Sequence, residues 1–164
     1  MNKEYSIEGA FLEQAVEHLE KDFMPRISEC VASLSQEELW WRPNADSNSV
    51  GNILLHLAGN VRQWIISGVG GAEDTRVRDR EFSEQGPVPS DQLLSALSNT
   101  VAEACKLLRD LPPEALRKTS RIQKYDVTGL QAIFHVVEHF SGHTGQIIYV
   151  TKLLKSRDLK FYDL

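Results

Sequence analysis

HVVEHFSGHTGQIIYVTKLL, residues 135–154, decides how this chain is read. With the residues just before it, Ile133, Phe134, Val136, Val137, Phe140, Ile147, Ile148, Val150 and Leu154 recur at helical spacing and leave only a narrow polar strip near Glu138 and Lys152. A helix this apolar fills a core with one face and meets a neighbouring helix or a partner subunit with another. It also carries His135, His139 and His143, three of the five histidines in the chain. Steps of four residues advance about 40° round a helix, so the three imidazoles form a shallow ladder on one side.

Working outward, three further long segments share that periodicity. The first runs from about Ile7 to Leu34, with Leu12, Val16, Leu19, Phe23 and Ile27 on one face, and Pro25 predicts a kink within it. "SQEELWWRPN" reads as a short helical turn, Ser35 and Glu38 having capping-box spacing. The second begins near Ser47 or Ser49, presents Val50, Ile53, Leu54, Leu57, Val61, Trp64 and Ile65, and stops after Ser67 in "GVGG". Residues 70–89 are polar, charged and closed by Gly86, Pro87 and Pro89, which predicts a mobile loop with room for an irregular turn. Ser90 is the candidate N-cap of the third segment, which Pro112 and Pro113 end. "RIQKYDV" suits a short extended piece, and the last helix starts near Thr128, with Asp126 as another capping candidate, and runs to about Lys155. No repeat and no alternating strand pattern appears. The expectation is an all-α four-helix bundle, one domain over residues 1–164.

Composition narrows the function. A chain of 164 residues suffices for one domain that buries roughly 70% of its unfolded surface. Its net charge of −5, with no basic stripe, argues against nucleic-acid binding. The most apolar run, Val50 to Val69, is broken by His56, Asn60, Arg62 and Gln63, and the first residues lack an apolar signal core, so no membrane span is expected and the cytoplasm is the expected compartment. Cys30 and Cys105 are far apart, with no CxxC, and read as reduced packing residues.

Adjacent rungs of the ladder can share one metal ion, as the two histidines of HExxH do. Phe140, however, occupies the position of the metalloprotease glutamate, and no histidine has a glutamate three residues before it as di-iron bundles require. A third ligand must come from elsewhere. His56 in "NILLHLAGN" is the best supplier, with Asn60 one turn away, and three histidines on two helices would leave coordination positions for water or substrate. On spacing alone, the alternative of half-buried helix histidines bonded to backbone or carboxylates stays open.

The combination "WWRP", "NSVGNILLHLAGN" and "HVVEHFSGHTGQIIYVTKLL" resembles the DinB/YfiT-like superfamily of bacterial four-helix-bundle proteins over nearly the whole chain. The resemblance implies a divalent metal ion, zinc, nickel or iron, on His56, His139 and His143. His135 then lines the pocket, Asn60 and Gln146 orient a ligand or water, and His18 is a surface residue. Relatives of this type include transferases that use bacillithiol or mycothiol. The implied partners are therefore a low-molecular-weight thiol activated as its thiolate and an electrophilic small molecule, with no catalytic side chain assigned. A homodimer is also implied. The other readings are a metal-dependent hydrolase and a non-catalytic metal-binding stress or interaction protein. Gly142 and Gly145, costly inside a helix, imply the close approach of another helix or room beside the metal. Trp40, Trp41 and Arg42 are expected to cover one end of the bundle, with an aromatic substrate platform as the alternative.

Overall fold

The computed structural model describes residues 6–161, so both ends of the 1–164 span lie outside the described residues. The first segment is one uninterrupted rod of α1 (Ile7–Glu17), a π-helical stretch (His18–Phe23) and α2 (Met24–Ser33). Ser6 caps it, its hydroxyl accepting from Gly9 N–H at 3.1 Å. Where Pro25 predicts a kink the helix runs on: Met24 N–H bonds Leu19 O, so the ladder has widened to an i→i−5 step ahead of the residue that cannot donate. The short turn is α3 (Gln36–Leu39), with the Ser35–Glu38 capping box formed.

The second rod is α4 (Val50–Val61) continued by a π-helical stretch (Arg62–Val69). Ser49, not Ser47, caps it, and Asn52 returns the bond to Ser49 N–H. The 70–89 segment is more built than a loop, since it contains α5 (Arg78–Ser83). Helix α6 (Ser90–Asp110) starts at its expected cap residue: Ser90 is already helical, and Pro89, whose ring fixes φ near the observed −61°, holds the cap position one residue earlier. A 3₁₀ turn (Pro113–Arg117) follows, and then β1 (Thr119–Ile122) and β2 (Tyr125–Thr128) form an antiparallel hairpin. The piece expected to be extended, residues 121–127, is thus the folded end of this hairpin, with parts of both strands and a turn in which Gln123 has φ 55°. Asp126 lies in β2 with its carboxylate 2.7 Å from Arg121 Nη1, so it caps nothing; Thr128 alone caps α7 (Gly129–Lys155), answered by Gln131.

The fold is a helical bundle of four long rods bearing this one hairpin. Leu19, Ile27, Leu57, Ile65, Leu97 and Phe140 are completely buried between the rods. Phe140 stacks on Phe23 with ring centroids 5.8 Å apart. Its burial fixes the rotation of α7, and with it the direction in which the histidine ladder points. On the second apolar side of α7, Phe134 is 57% and Tyr149 70% exposed among the described residues. Among the described residues no helix is long and apolar enough to cross a membrane.

Candidate metal centre

His56 sits in the interior of α4, 6% exposed, and faces the ladder on α7. His56 Nε2 stands 3.0 Å from His139 Nε2, and His139 Nε2 stands 3.2 Å from His143 Nε2. One ligand atom from each of the three lies within 4.8 Å of the others, and no fourth His, Cys, Asp or Glu joins the group among the described residues. A neutral imidazole carries one proton, so His139 Nε2 cannot satisfy both neighbours by hydrogen bonding alone. A tetrahedral ion with metal–nitrogen bonds of about 2.0–2.1 Å sets its ligand atoms roughly 3.3 Å apart. The residues present therefore fit a divalent metal with at least one open coordination position.

The outer nitrogens show how the rings are held. His143 Nδ1 is 2.8 Å from Gln146 Oε1, which accepts from it. His56 Nδ1 is 2.9 Å from Glu81 Oε2, and Arg76 clasps the same carboxylate, donating Nε to Oε1 at 2.7 Å and Nη2 to Oε2 at 2.8 Å. Arg76 Nη2 also stands 3.1 Å from His56 Nδ1. With the proton on Nδ1 both of these are donors, and the Glu81 oxygen takes both. Gln63 Oε1 accepts from Arg76 Nη1 at 2.8 Å and from Gln123 Nε2 at 2.6 Å, which ties the pair to the hairpin.

On α7 the electrostatics favour the neutral form of His135, His139 and His143. Burial, and then the neighbouring His143 and His56, push His139 down to about 3. Burial lowers His143 and His135 as well. Glu81 behaves oppositely to an isolated buried acid: burial pushes its carboxyl up, but the hydrogen bonds from Arg76 and His56 outweigh that and hold it below the ordinary carboxylate range.

The structure thus brings His56, His139 and His143 together and leaves His135 beside them. His135 Nε2 is 3.4 Å from Asn60 Nδ2, and its ring lies 4.1 Å from that of Trp64. Asn60 Oδ1 and His139 Nδ1 are buried with no hydrogen-bond partner among the described residues. Gln146, expected to orient a ligand or water, is engaged by His143 Nδ1. His18 is remote, paired with Asp22 at 2.6 Å. Among the described residues no helix approaches Gly142 or Gly145, since a Cβ on either would have nothing within 4 Å. Open space is what remains of that expectation: both line a cavity of about 610 Å³ with Pro43, Asp46, Gln146 and Tyr149. Trp40 is a packing residue rather than a platform; a Cβ on Gly51 or Gly86 would lie 2.9 Å from its indole, whose Nε1 donates to Val88 O.

Arg76 and Glu81 are the residues that sequence reasoning missed. They fall in the segment expected to be mobile, yet Glu81 is 8% exposed and the Arg76 side chain 4%. Asn52 Nδ2 fastens that segment to α4 by donating to Glu81 O and Glu84 O, each at 2.8 Å. An arginine and a glutamate five residues apart in a polar stretch carry no periodic signal, so nothing in the sequence singled them out.

The model of the family described as "Protein of unknown function (DUF1572)" matches residues 6–163. Among solved structures, a DinB-like protein of Bacillus subtilis, YjoA, is similar at 17% identity with a TM-score of 0.69, over 92% of this chain and 98% of that one. A DinB-like protein of Bacillus cereus is similar at 15% identity with a TM-score of 0.67, over 91% of this chain and 93% of that one. No curated protein sequence matches.

Proposed function

The chain belongs to the DUF1572 family and has a DinB-like fold, and from that premise we propose that it binds one divalent metal ion through His56, His139 and His143 and transfers a low-molecular-weight thiol of the bacillithiol or mycothiol type to an electrophilic small molecule. The observation that carries this reading is the convergence of three imidazoles from two helices, with contacts of 3.0 and 3.2 Å between their Nε2 atoms. Zinc, nickel and iron all suit imidazole ligands. When bound, such an ion supplies the positive charge that favours the thiolate of an added thiol near neutral pH.

The chain's own residues support the rest. Glu81 and Gln146 hold His56 and His143 from behind, and Asn60 and His135 offer polar atoms beside the ligands. Neither cysteine is suited to be the nucleophile: both are buried, burial raises the Cys30 thiol, and it pushes Cys105 up to about 12. The attacking sulfur is therefore the cosubstrate's. Its S–H proton is released, the new S–C bond forms, and the leaving group departs with the electron pair of the broken bond.

The test uses protein loaded with cobalt(II) as a spectroscopic probe. Addition of a small thiol is expected to produce a sulfur-to-cobalt charge-transfer band, and the hydroxyl analogue is expected to produce none. Metal retained at one equivalent with no response to any thiol would overturn the transferase reading in favour of a metal-binding protein without turnover. Ester hydrolysis without thiol would move it to the hydrolases, and failure to retain any divalent metal would remove the whole reading.

A further inference from the structure

We propose that Glu81, locked in place by Arg76, is the positioning residue for His56: its carboxylate keeps the His56 proton on Nδ1 and so leaves Nε2 bare towards His139 and His143. The proposal rests on the metal reading above for its consequence, but the tautomer it assigns exists with or without metal.

A neutral imidazole bears its single proton on one nitrogen or the other, and only the Nδ1–H form has a lone pair on Nε2. An ionised carboxylate can only accept, so Glu81 Oε2 at 2.9 Å from Nδ1 selects that form. His56 is the one ligand with such a charged acceptor. Gln146 offers His143 a neutral amide oxygen, and His139 Nδ1 has no partner among the described residues. A carboxylate behind an imidazole also raises its basicity as a ligand. Of the three, His56 is thereby the most strongly oriented donor.

The carboxylate can serve only if it stays ionised although buried, and the surrounding residues secure this. The Arg76 guanidinium forks onto both oxygens at 2.7 and 2.8 Å. The Arg76 side chain is itself 4% exposed and anchored on Gln63. The pair is neutral overall, which makes its burial tolerable. Helix α4 is also shaped to receive it. A Cβ on Gly59, three residues after His56, would lie 2.1 Å from Glu81 Oε1 and 2.9 Å from Arg76 Nε, so the glycine leaves the notch that the carboxylate fills.

A clamp that merely fastened α5 to α4 would show the same ion pair, so the test must read the imidazole and the metal rather than stability. In Glu81→Gln, Arg76 keeps the amide oxygen and the amide N–H₂ turns to His56 Nδ1, where it can only donate and so selects the Nε2–H form. The expected result is a 10- to 100-fold weaker zinc affinity, measured by competition with a chromophoric chelator, with the circular dichroism of the metal-free protein retained. A folded Glu81→Gln protein whose zinc affinity is within about twofold of the parent would overturn the proposal, whatever its melting temperature. Should that variant fail to fold, long-range ¹H–¹⁵N spectra of the metal-free parent decide instead: an Nδ1–H pattern for His56 supports the assignment and an Nε2–H pattern overturns it. A parent protein that binds no divalent ion would sink the metal reading, while those spectra would still decide the tautomer.

Discussion

His18 and His56 each present Nδ1 to a carboxylate, at 2.6 Å from Asp22 and 2.9 Å from Glu81, yet the surroundings make them different objects. The His18 and Asp22 side chains are 39% and 38% exposed and lie one helical turn apart on the first rod. Those of His56 and Glu81 are 8% and 10% exposed, and the two residues, 25 apart in the sequence, come from α4 and α5. Water screens the first pair, and an exposed pair of this kind contributes about 0–1 kcal/mol. The second pair is shielded, held by a buried arginine, and aimed at two further imidazoles. Contact geometry alone does not distinguish a surface ornament from part of a site; burial, and what the other ring nitrogen faces, do.

The largest test of that contrast is to delete the rings. His56→Ala, His139→Ala and His143→Ala are each expected to weaken zinc binding by more than about 100-fold, beyond the loss expected for a partner that only supports a ligand. His18→Ala should leave it unchanged. Metal titration of the four variants, each checked for fold by circular dichroism, ranks them. One equivalent of tightly held zinc in the His139 variant would remove the assignment.

The same contrast explains what was legible beforehand. The four rods follow from apolar spacing, and the caps at Ser35, Ser49 and Thr128 follow from residue type and spacing, because both signals are local. His139 and His143 announce themselves by sharing a helix face. His56 was a candidate because it lies on the shoulder of an apolar helix face, with Asn60 one turn away. The Arg76 and Glu81 pair was not, because its meaning comes wholly from tertiary contact. The segment's polarity resembles that of a solvated loop until Asn52 and Arg76 are seen to fasten it. The hairpin was half seen for a related reason: each strand has only four residues, too short for alternation to show, and its turn lacks the Asn-Gly signal. Gly59 is the subtlest case. In the sequence it is a cost to α4, and only the position of Glu81 Oε1, 2.1 Å from where a Cβ would stand, gives a reason for it.

Gly59→Ala therefore sharpens the comparison at intermediate size. The added methyl forces Glu81 Oε1 aside against the hold of Arg76, a clash that outweighs the roughly 1 kcal/mol of helix propensity alanine returns. The expected outcome is a melting temperature below the parent's with zinc affinity about tenfold weaker, in the range for a disturbed partner behind a ligand. Unchanged affinity would mean that the carboxylate can shift without releasing His56, and the notch would then be a packing feature only.

The smallest effect belongs to the exposed pair. Asp22→Asn removes the charge but keeps an oxygen that can accept from His18 Nδ1, one turn back on the same rod. The acidic residue follows its partner along the helix, the less favourable order with respect to the helix dipole, and both side chains are more than a third exposed. A stability change under about 0.5 kcal/mol is expected, with no change in zinc affinity. Denaturant unfolding and a metal titration on the same sample give both numbers. A loss approaching that of Gly59→Ala in metal binding would mean that the two rods communicate through the π-helical stretch His18–Phe23, and that solvent does not isolate the first pair as its exposure implies.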